Sequence, residues 1–184
     1  CTIVCLPGTD CYQSFKNLRN ENKSIFVKCG TYNFDPINKN TSVPFNRSKI
    51  IDLKSGQNLI GENKDCVILK LVGNADGTGT EFIGSELPGT FNIKDLTIDM
   101  NAENLVYTNV PNSSGWMYMK GISYSSSTQT TNQDCSVENV RIINCDHYIH
   151  NPLIPNSGRL YGLGIDTMTA SRLQINNLWV ENCD

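Results

Sequence analysis

Three segments of this chain spell nearly the same phrase, and that repetition limits its fold more than any other feature. Ser136 to Asp146 reads SVENVRIINCD, Gln174 to Asp184 reads QINNLWVENCD, and a weaker copy, NIKDLTIDMN, runs from Asn92 to Asn101. With Ile93 aligned to Val137 and Ile175, the copies lie 44 and 38 residues apart. Apolar side chains recur at Ile93/Val137/Ile175, Leu96/Val140/Leu178 and Ile98/Ile142/Val180, with Asp95, Asn139 or Asn177 between the first two sets. A strand alternates its faces with period two, so an unbroken strand would put Ile175 and Leu178 on opposite sides. A corner at Asn177 restores the phase, and Asn tolerates the left-handed backbone that a corner needs. Trp179 then points outward, in one column with Arg141 and Thr97. A chain that turns at the same phase on every pass, apolar side inward, winds a parallel β-coil whose laps stack about 4.8 Å apart. Equivalent residues form ladders, here Asp95/Asn139/Asn177 at the corner and Cys145 above Cys183. A β-sandwich is the alternative, but it has no need of Asn at one phase in each copy.

The 184 residues are one domain's worth of chain, with 39% hydrophobic and 18% charged residues. A net charge of -3 and the lack of a Lys/Arg-rich segment argue against nucleic acid as a partner. No run approaches the roughly 18 apolar residues of a membrane span, so membrane insertion is not expected. The chain begins on Cys1 and ends at the close of a repeat, so the coil is expected to continue beyond Asp184. Of the eight cysteines, Cys1, Cys5, Cys11 and Cys29 crowd the start, where disulfides and free thiols are equally open readings. Cys145 and Cys183 read as buried thiols, because Cys packs as a small hydrophobe. Two histidines and no CxxC pair give no zinc site. The sequons at Asn22, Asn40, Asn46 and Asn112 decide nothing in a chain this rich in Asn, Ser and Thr.

Along the chain, Thr2–Leu6 is a first short strand. Asp10 with Gln13 resembles a capping box, and Cys11, Tyr12, Phe15 and Leu18 form an apolar stripe, which predicts an amphipathic helix closing the end of the coil. Residues 1–23 are thus a strand and capping helix, and 24–184 the coil. SIFVKCGTYNF from Ser24 to Phe34 reads as strand, Gly turn, strand; 35–49 as a loop; Ile50–Leu53, Asn58–Ile60 and Val67–Val72 as strands. Gly73–Gly89 and Ala102–Trp116 read as loops or excursions. Gly121–Tyr124 and Gly164–Thr167 look like matching strands entering the repeats, with loops near 102–116, 125–134 and 150–160 shaping a groove.

SIFVKCGTYNF followed by LKSGQNLIGENKDCVILKL, with the later I-N-N-L and V-E-N-C laps, resembles the pectate-lyase-like superfamily of right-handed parallel β-helices. The similarity spans roughly residues 9 to 184. It implies an all-β right-handed parallel β-helix (solenoid) with an N-terminal capping helix. Members include pectate lyases, polygalacturonases and bacteriophage tailspikes and tail fibres, whose common thread is an elongated surface holding carbohydrate polymers. Fold-level likeness does not by itself carry function.

Glycoside hydrolysis needs two carboxyls about 5 to 9.5 Å apart. Asp146 and Asp184 share one phase of the repeat, and Asp166 lies on an entering strand where Ser123 or Tyr124 stands in the preceding lap. These three, with His147 beside Asp146, are the candidate catalytic groups; as turn residues, Asp side chains also cap strand ends. The polygalacturonase N-T-D, D-D, G-H-G and R-I-K motifs are absent, as is the acidic calcium cluster of pectate lyases, so no cofactor is read and Ca2+ is not indicated. The rings of Trp116, Tyr118, Tyr124 and Trp179, with Arg141, suit stacking and hydrogen bonding to sugars, or burial against a subunit. The expected function is a tail-fibre or tailspike-type attachment protein, on a virion surface or otherwise extracellular, that binds a host polysaccharide and assembles as a trimer. A secreted polysaccharide lyase or hydrolase is the alternative, then a non-catalytic adhesive β-helix. The cysteine content favours the latter two, since phage proteins fold in a reducing cytosol.

Overall fold

The computed structural model describes residues 2–8, 24–35, 48–53, 56–76, 80–85, 90–108, 117–124, 134–145, 160–166 and 172–183. These form fourteen strands: β1 (Thr2–Cys5), β2 (Ser24–Val27), β3 (Gly30–Phe34), β4 (Ser48–Asp52), β5 (Asn58–Gly61), β6 (Val67–Leu71), β7 (Asn74–Asp76), β8 (Thr80–Ser85), β9 (Phe91–Asp99), β10 (Val106–Thr108), β11 (Met117–Tyr124), β12 (Asp134–Ile143), β13 (Leu160–Asp166) and β14 (Arg172–Glu181). One 3-10 turn, Ala102–Asn104, sits between β9 and β10. Among the described residues there is no α-helix. The predicted helix over Asp10–Leu18 lies outside them.

Every strand pairing among the described residues is parallel. An eight-stranded sheet runs β1-β2-β5-β9-β12-β14, with β3 and β6 alongside; a second runs β13-β11-β8-β4; β10 and β7 form a third, two-stranded one. The chain alternates between the two large sheets: β4 falls between β2 and β5, β8 between β6 and β9, β11 between β9 and β12, and β13 between β12 and β14. Parallel neighbours require the chain to return to the same end each time, and here the returns carry strands of the other sheet.

The repeats fix the register. Val137 faces Ile93 on one side and Ile175 on the other, Val140 faces Leu96 and Leu178, and Ile142 faces Ile98 and Val180. The corner between the apolar positions is a single left-handed residue in each copy: Asp95 at φ 57°, Asn139 at 52° and Asn177 at 52°. That residue puts Val137 and Val140, three apart, on the same buried face. Earlier in the chain the corner takes a longer segment, Lys28–Cys29 between β2 and β3 and Glu62–Cys66 between β5 and β6. The core is an apolar ladder, Ile25, Leu59, Ile93 and Val137, all fully buried. Phe34 and Phe82 meet edge to face at 5.3 Å, joining β3 to β8 of the second sheet. Two glycines of the second sheet sit tightly against the first: a Cβ on Gly121 would lie 2.7 Å from Ile142 Cγ2, and one on Gly164 2.9 Å from Val180 Cγ1.

Two stretches differ from the sequence reading. Gly73–Gly89 is not simply loop: it holds β7 and β8, and β8 lies between β4 and β11. Its sequence, TEFIGS, hid the strand because Glu81 looks like a solvent residue. Glu81 is buried, and its carboxylate lies 3.5 Å from Lys120 Nζ, a residue directly opposite it on β11. Pairing of this kind is what lets charges leave water. Ala102–Trp116 likewise opens with structure, since Ala102 N–H donates to Asn144 C=O (3.0 Å) and Val106 N–H to Gly73 C=O (3.0 Å).

The cysteines overturn a second expectation. Cys145 and Cys183 form a disulfide rather than two buried thiols. Their Cα atoms lie 4.7 Å apart, the separation of neighbouring strands and within the disulfide range. Cys29 bonds to Cys66 at a Cα separation of 4.9 Å, so its partner is not among the first four cysteines. Cys5 is also disulfide-bonded, its partner lying outside the described residues. Cys135 is a buried thiol.

Candidate functional site

The outer face of β9, β12 and β14 is where the structure gathers predicted binding residues. Thr97, Arg141 and Trp179 stand in one column, as the period-two argument requires. Two positions on, and so on the same face, Glu181 takes both neighbours: Arg141 Nη2 donates to Glu181 Oε2 at 2.9 Å and Trp179 Nε1 donates to the same oxygen at 3.3 Å. These two hydrogen bonds, Arg141 first, hold the Glu181 carboxyl below its ordinary pKa. The indole is thus gripped by its edge while the residue stays 62% exposed. Thr97 Oγ1 donates to the Lys64 carbonyl at 2.7 Å.

The neighbouring face of the same strands carries polar ladders. Lys94 Nζ donates to Glu138 Oε1 at 3.1 Å, and this partner raises the lysine pKa. Ser136 Oγ donates to Asn92 Oδ1 (2.6 Å), Asn92 Nδ2 to Asn58 Oδ1 (2.6 Å) and Asn58 Nδ2 to Ser24 Oγ (3.0 Å). The corner ladder does the same: Asn177 Nδ2 donates to Asn139 Oδ1 at 2.8 Å, and Asn139 Nδ2 to Asp95 Oδ1 at 2.6 Å. A second corner ladder joins Asn182 Nδ2 to Asn144 Oδ1 (3.3 Å) and Asn144 Nδ2 to Asp99 Oδ1 (2.9 Å). Lys70 Nζ is 3.3 Å from Asp99 Oδ2. Near the other end, Lys28 Nζ and the Cys29 N–H both bond Glu62, and these bonds lower its pKa. What such a face offers chemically is an aromatic plate beside paired charges and amides.

The remaining predicted site residues divide. Asp166 ends β13 opposite Ser123, as expected, in the sheet that does not contain Trp179. Tyr118 lies on β11 opposite Tyr161, and Tyr124, on the same strand, opposite Ser85. Asp146, His147, Asp184 and Trp116 lie outside the described residues. The structure therefore brings Arg141 and Trp179 together, while Asp166 stands on a strand of the other sheet. Glu181, Lys94 and Glu138 were missed by sequence reasoning. Glu181 was within reach of it, because two residues along a strand from Trp179 returns to the same face. Among the described residues no three His, Cys, Asp or Glu side chains converge to hold a metal ion, and no described helix is long and apolar enough to cross a membrane.

The described residues define a class: an all-β chain of parallel sheets with in-register polar ladders on its outer face. No protein-family model, curated protein or solved structure matches the chain.

Proposed function

We propose that the chain is a right-handed parallel β-helix of the pectate-lyase-like kind, lying outside the cell or on a virion, and that it binds a polysaccharide along the β9-β12-β14 face. Alternation between two all-parallel sheets supports the coil, because parallel returns otherwise run through helices. The right hand follows from the general rule for parallel crossovers. The observation that carries the binding reading is Trp179, exposed at 62% and pinned through its Nε1 to a carboxylate that Arg141 also grips. An aromatic face fixed in advance loses little freedom when a pyranose stacks on it, and the flanking guanidinium, carboxylate and amides match sugar hydroxyls. In this reading the protein is an attachment protein of the tail-fibre or tailspike type, working as a trimer, that holds a host surface glycan.

A secreted polysaccharide-acting protein is the second reading, and one observation favours it. Disulfides at Cys29–Cys66 and Cys145–Cys183 persist in oxidising compartments. Asp146, Asp166, Asp184 and His147 remain its candidate catalytic groups.

Titration of the chain against a panel of bacterial and plant polysaccharides separates these readings. Trp179→Ala is expected to weaken binding of the recognised glycan by about tenfold or more without shifting the unfolding midpoint. Unchanged affinity would remove this face from the site. Release of reducing ends or unsaturated products from the bound glycan would select the enzyme, and a monomer in sedimentation would reject the trimer.

A further inference from the structure

The outer face of the first sheet is rich in charge, yet its described cations are all engaged. Lys94 Nζ lies 3.1 Å from Glu138 Oε1, Arg141 Nη2 2.9 Å from Glu181 Oε2 and Lys28 Nζ 2.8 Å from Glu62 Oε1. Lys64 and Lys70 are held in the same way, by Asp65 at 3.2 Å and Asp99 at 3.3 Å. Asp95 is a further carboxylate beside Lys94, 4.0 Å away, so the surplus on this face is negative. The Lys28 hydrogen bond lowers the Glu62 pKa, the Arg141 hydrogen bond lowers that of Glu181, and the Glu138 hydrogen bond raises that of Lys94. These pairs therefore stay ionised at neutral pH.

The sequence carries the same balance. The net charge is -3, and the excursions 102–116, 125–134 and 150–160 contain one Lys or Arg among them, Arg159. Their polar residues are mostly Ser, Thr, Asn and Gln.

We infer that the glycan held on this face is an uncharged polysaccharide, a polymer of neutral sugars rather than of uronic, sulfated or phosphorylated ones. The inference rests on the polysaccharide reading above and narrows it. Each carboxylate of a polyanionic glycan would have to take a cation from Glu138, Glu181 or Glu62 and leave that glutamate facing a like charge. A sugar hydroxyl meets no such conflict, because it both donates and accepts. Asn92 suits it: the ladder uses one N–H of its amide, toward Asn58, and one lone pair, for Ser136, and an amide has two of each.

The test is binding of the disulfide-bonded 184-residue chain to neutral polysaccharides (mannan, xylan, galactan and β-glucan) and anionic ones (polygalacturonate, alginate and dextran sulfate), each at about 0.05 M and about 0.5 M salt. Expected is binding of a neutral member that Trp179→Ala weakens and that changes less than about twofold between the two salt concentrations. Glu138→Gln combined with Glu181→Gln releases Lys94 and Arg141 from these partners, and is expected to bind polygalacturonate at least about fivefold more tightly than the unaltered chain at the lower salt. No such gain would overturn the inference, since pairing would then not be what turns anions away. Salt-sensitive binding of an anionic member by the unaltered chain, weakened by Trp179→Ala, would overturn the inference and leave the polysaccharide reading standing. No binding of any member, or binding that Trp179→Ala leaves unchanged, would overturn both.

Discussion

β12 and β14 carry the same phrase in the same register, yet their inward side chains differ in burial among the described residues. Val137, Val140 and Ile142 are fully buried between β9 and β14, whereas Ile175 and Val180 are about half exposed. Corner geometry is unaffected, with Asn139 and Asn177 both at φ 52°. The comparison separates two things usually found together. Local conformation is encoded within each repeat, while burial is conferred by the strand next door. The Cys145–Cys183 disulfide joins the ends of these two repeats.

Experiments can break this comparison, beginning with the largest effect. Ile93→Ala removes a fully buried member of the ladder and is expected to cost about 2–5 kcal/mol. Ile175→Ala, the same change at the half-exposed end, is expected to cost less than about 1 kcal/mol. Denaturant unfolding of the two variants measures both, and equal losses would refute the distinction. Next, Cys145→Ser with Cys183→Ser is expected to destabilise by roughly 2–4 kcal/mol, with hydrogen exchange speeding at β14 before β9. Uniform exchange would mean the bond does not hold these two repeats together.

Asn139→Ala loses a donor and an acceptor and forces a left-handed alanine, a cost of about 2–3 kcal/mol; Asn177→Ala loses one bond fewer and is expected to cost about 1 kcal/mol less. The same unfolding measurement ranks them. Smallest is the pH effect at Glu181. Because its folded pKa is lowered, its bonds to Arg141 and Trp179 are complete above the ordinary glutamate value near 4.3 and fade as pH falls through the lower folded value. The Trp179 indole N–H resonance is expected to titrate below about pH 4.3; a midpoint above it would mean the carboxylate is not gripped.

Much of this was legible in advance. The phase of the repeats revealed the corner at Asn177, the Asp95/Asn139/Asn177 ladder and the Thr97/Arg141/Trp179 column, because strand periodicity is a local rule. Strand β8 was not legible, since Glu81 reads as polar until Lys120, 39 residues away in sequence, is placed opposite it. Nor was the oxidation state of Cys145 and Cys183, although the stacking that aligned them already implied a bridgeable distance. The virion reading came from resemblance alone, and the polysaccharide proposal adds to resemblance the outward ring of Trp179 and its partners.

By itself the sequence determined the form of each repeat: which side chains face in, where the chain turns, and which residues share a column. Those follow from the two-residue period of a strand and the tolerance of Asn for left-handed backbone. Only the tertiary structure decided that Glu181 grips Trp179 and Arg141 together, and that Glu81 is paired with Lys120 inside a sheet. Each of these depends on what stands one strand spacing away after a return of some forty residues, and no local pattern specifies that neighbour.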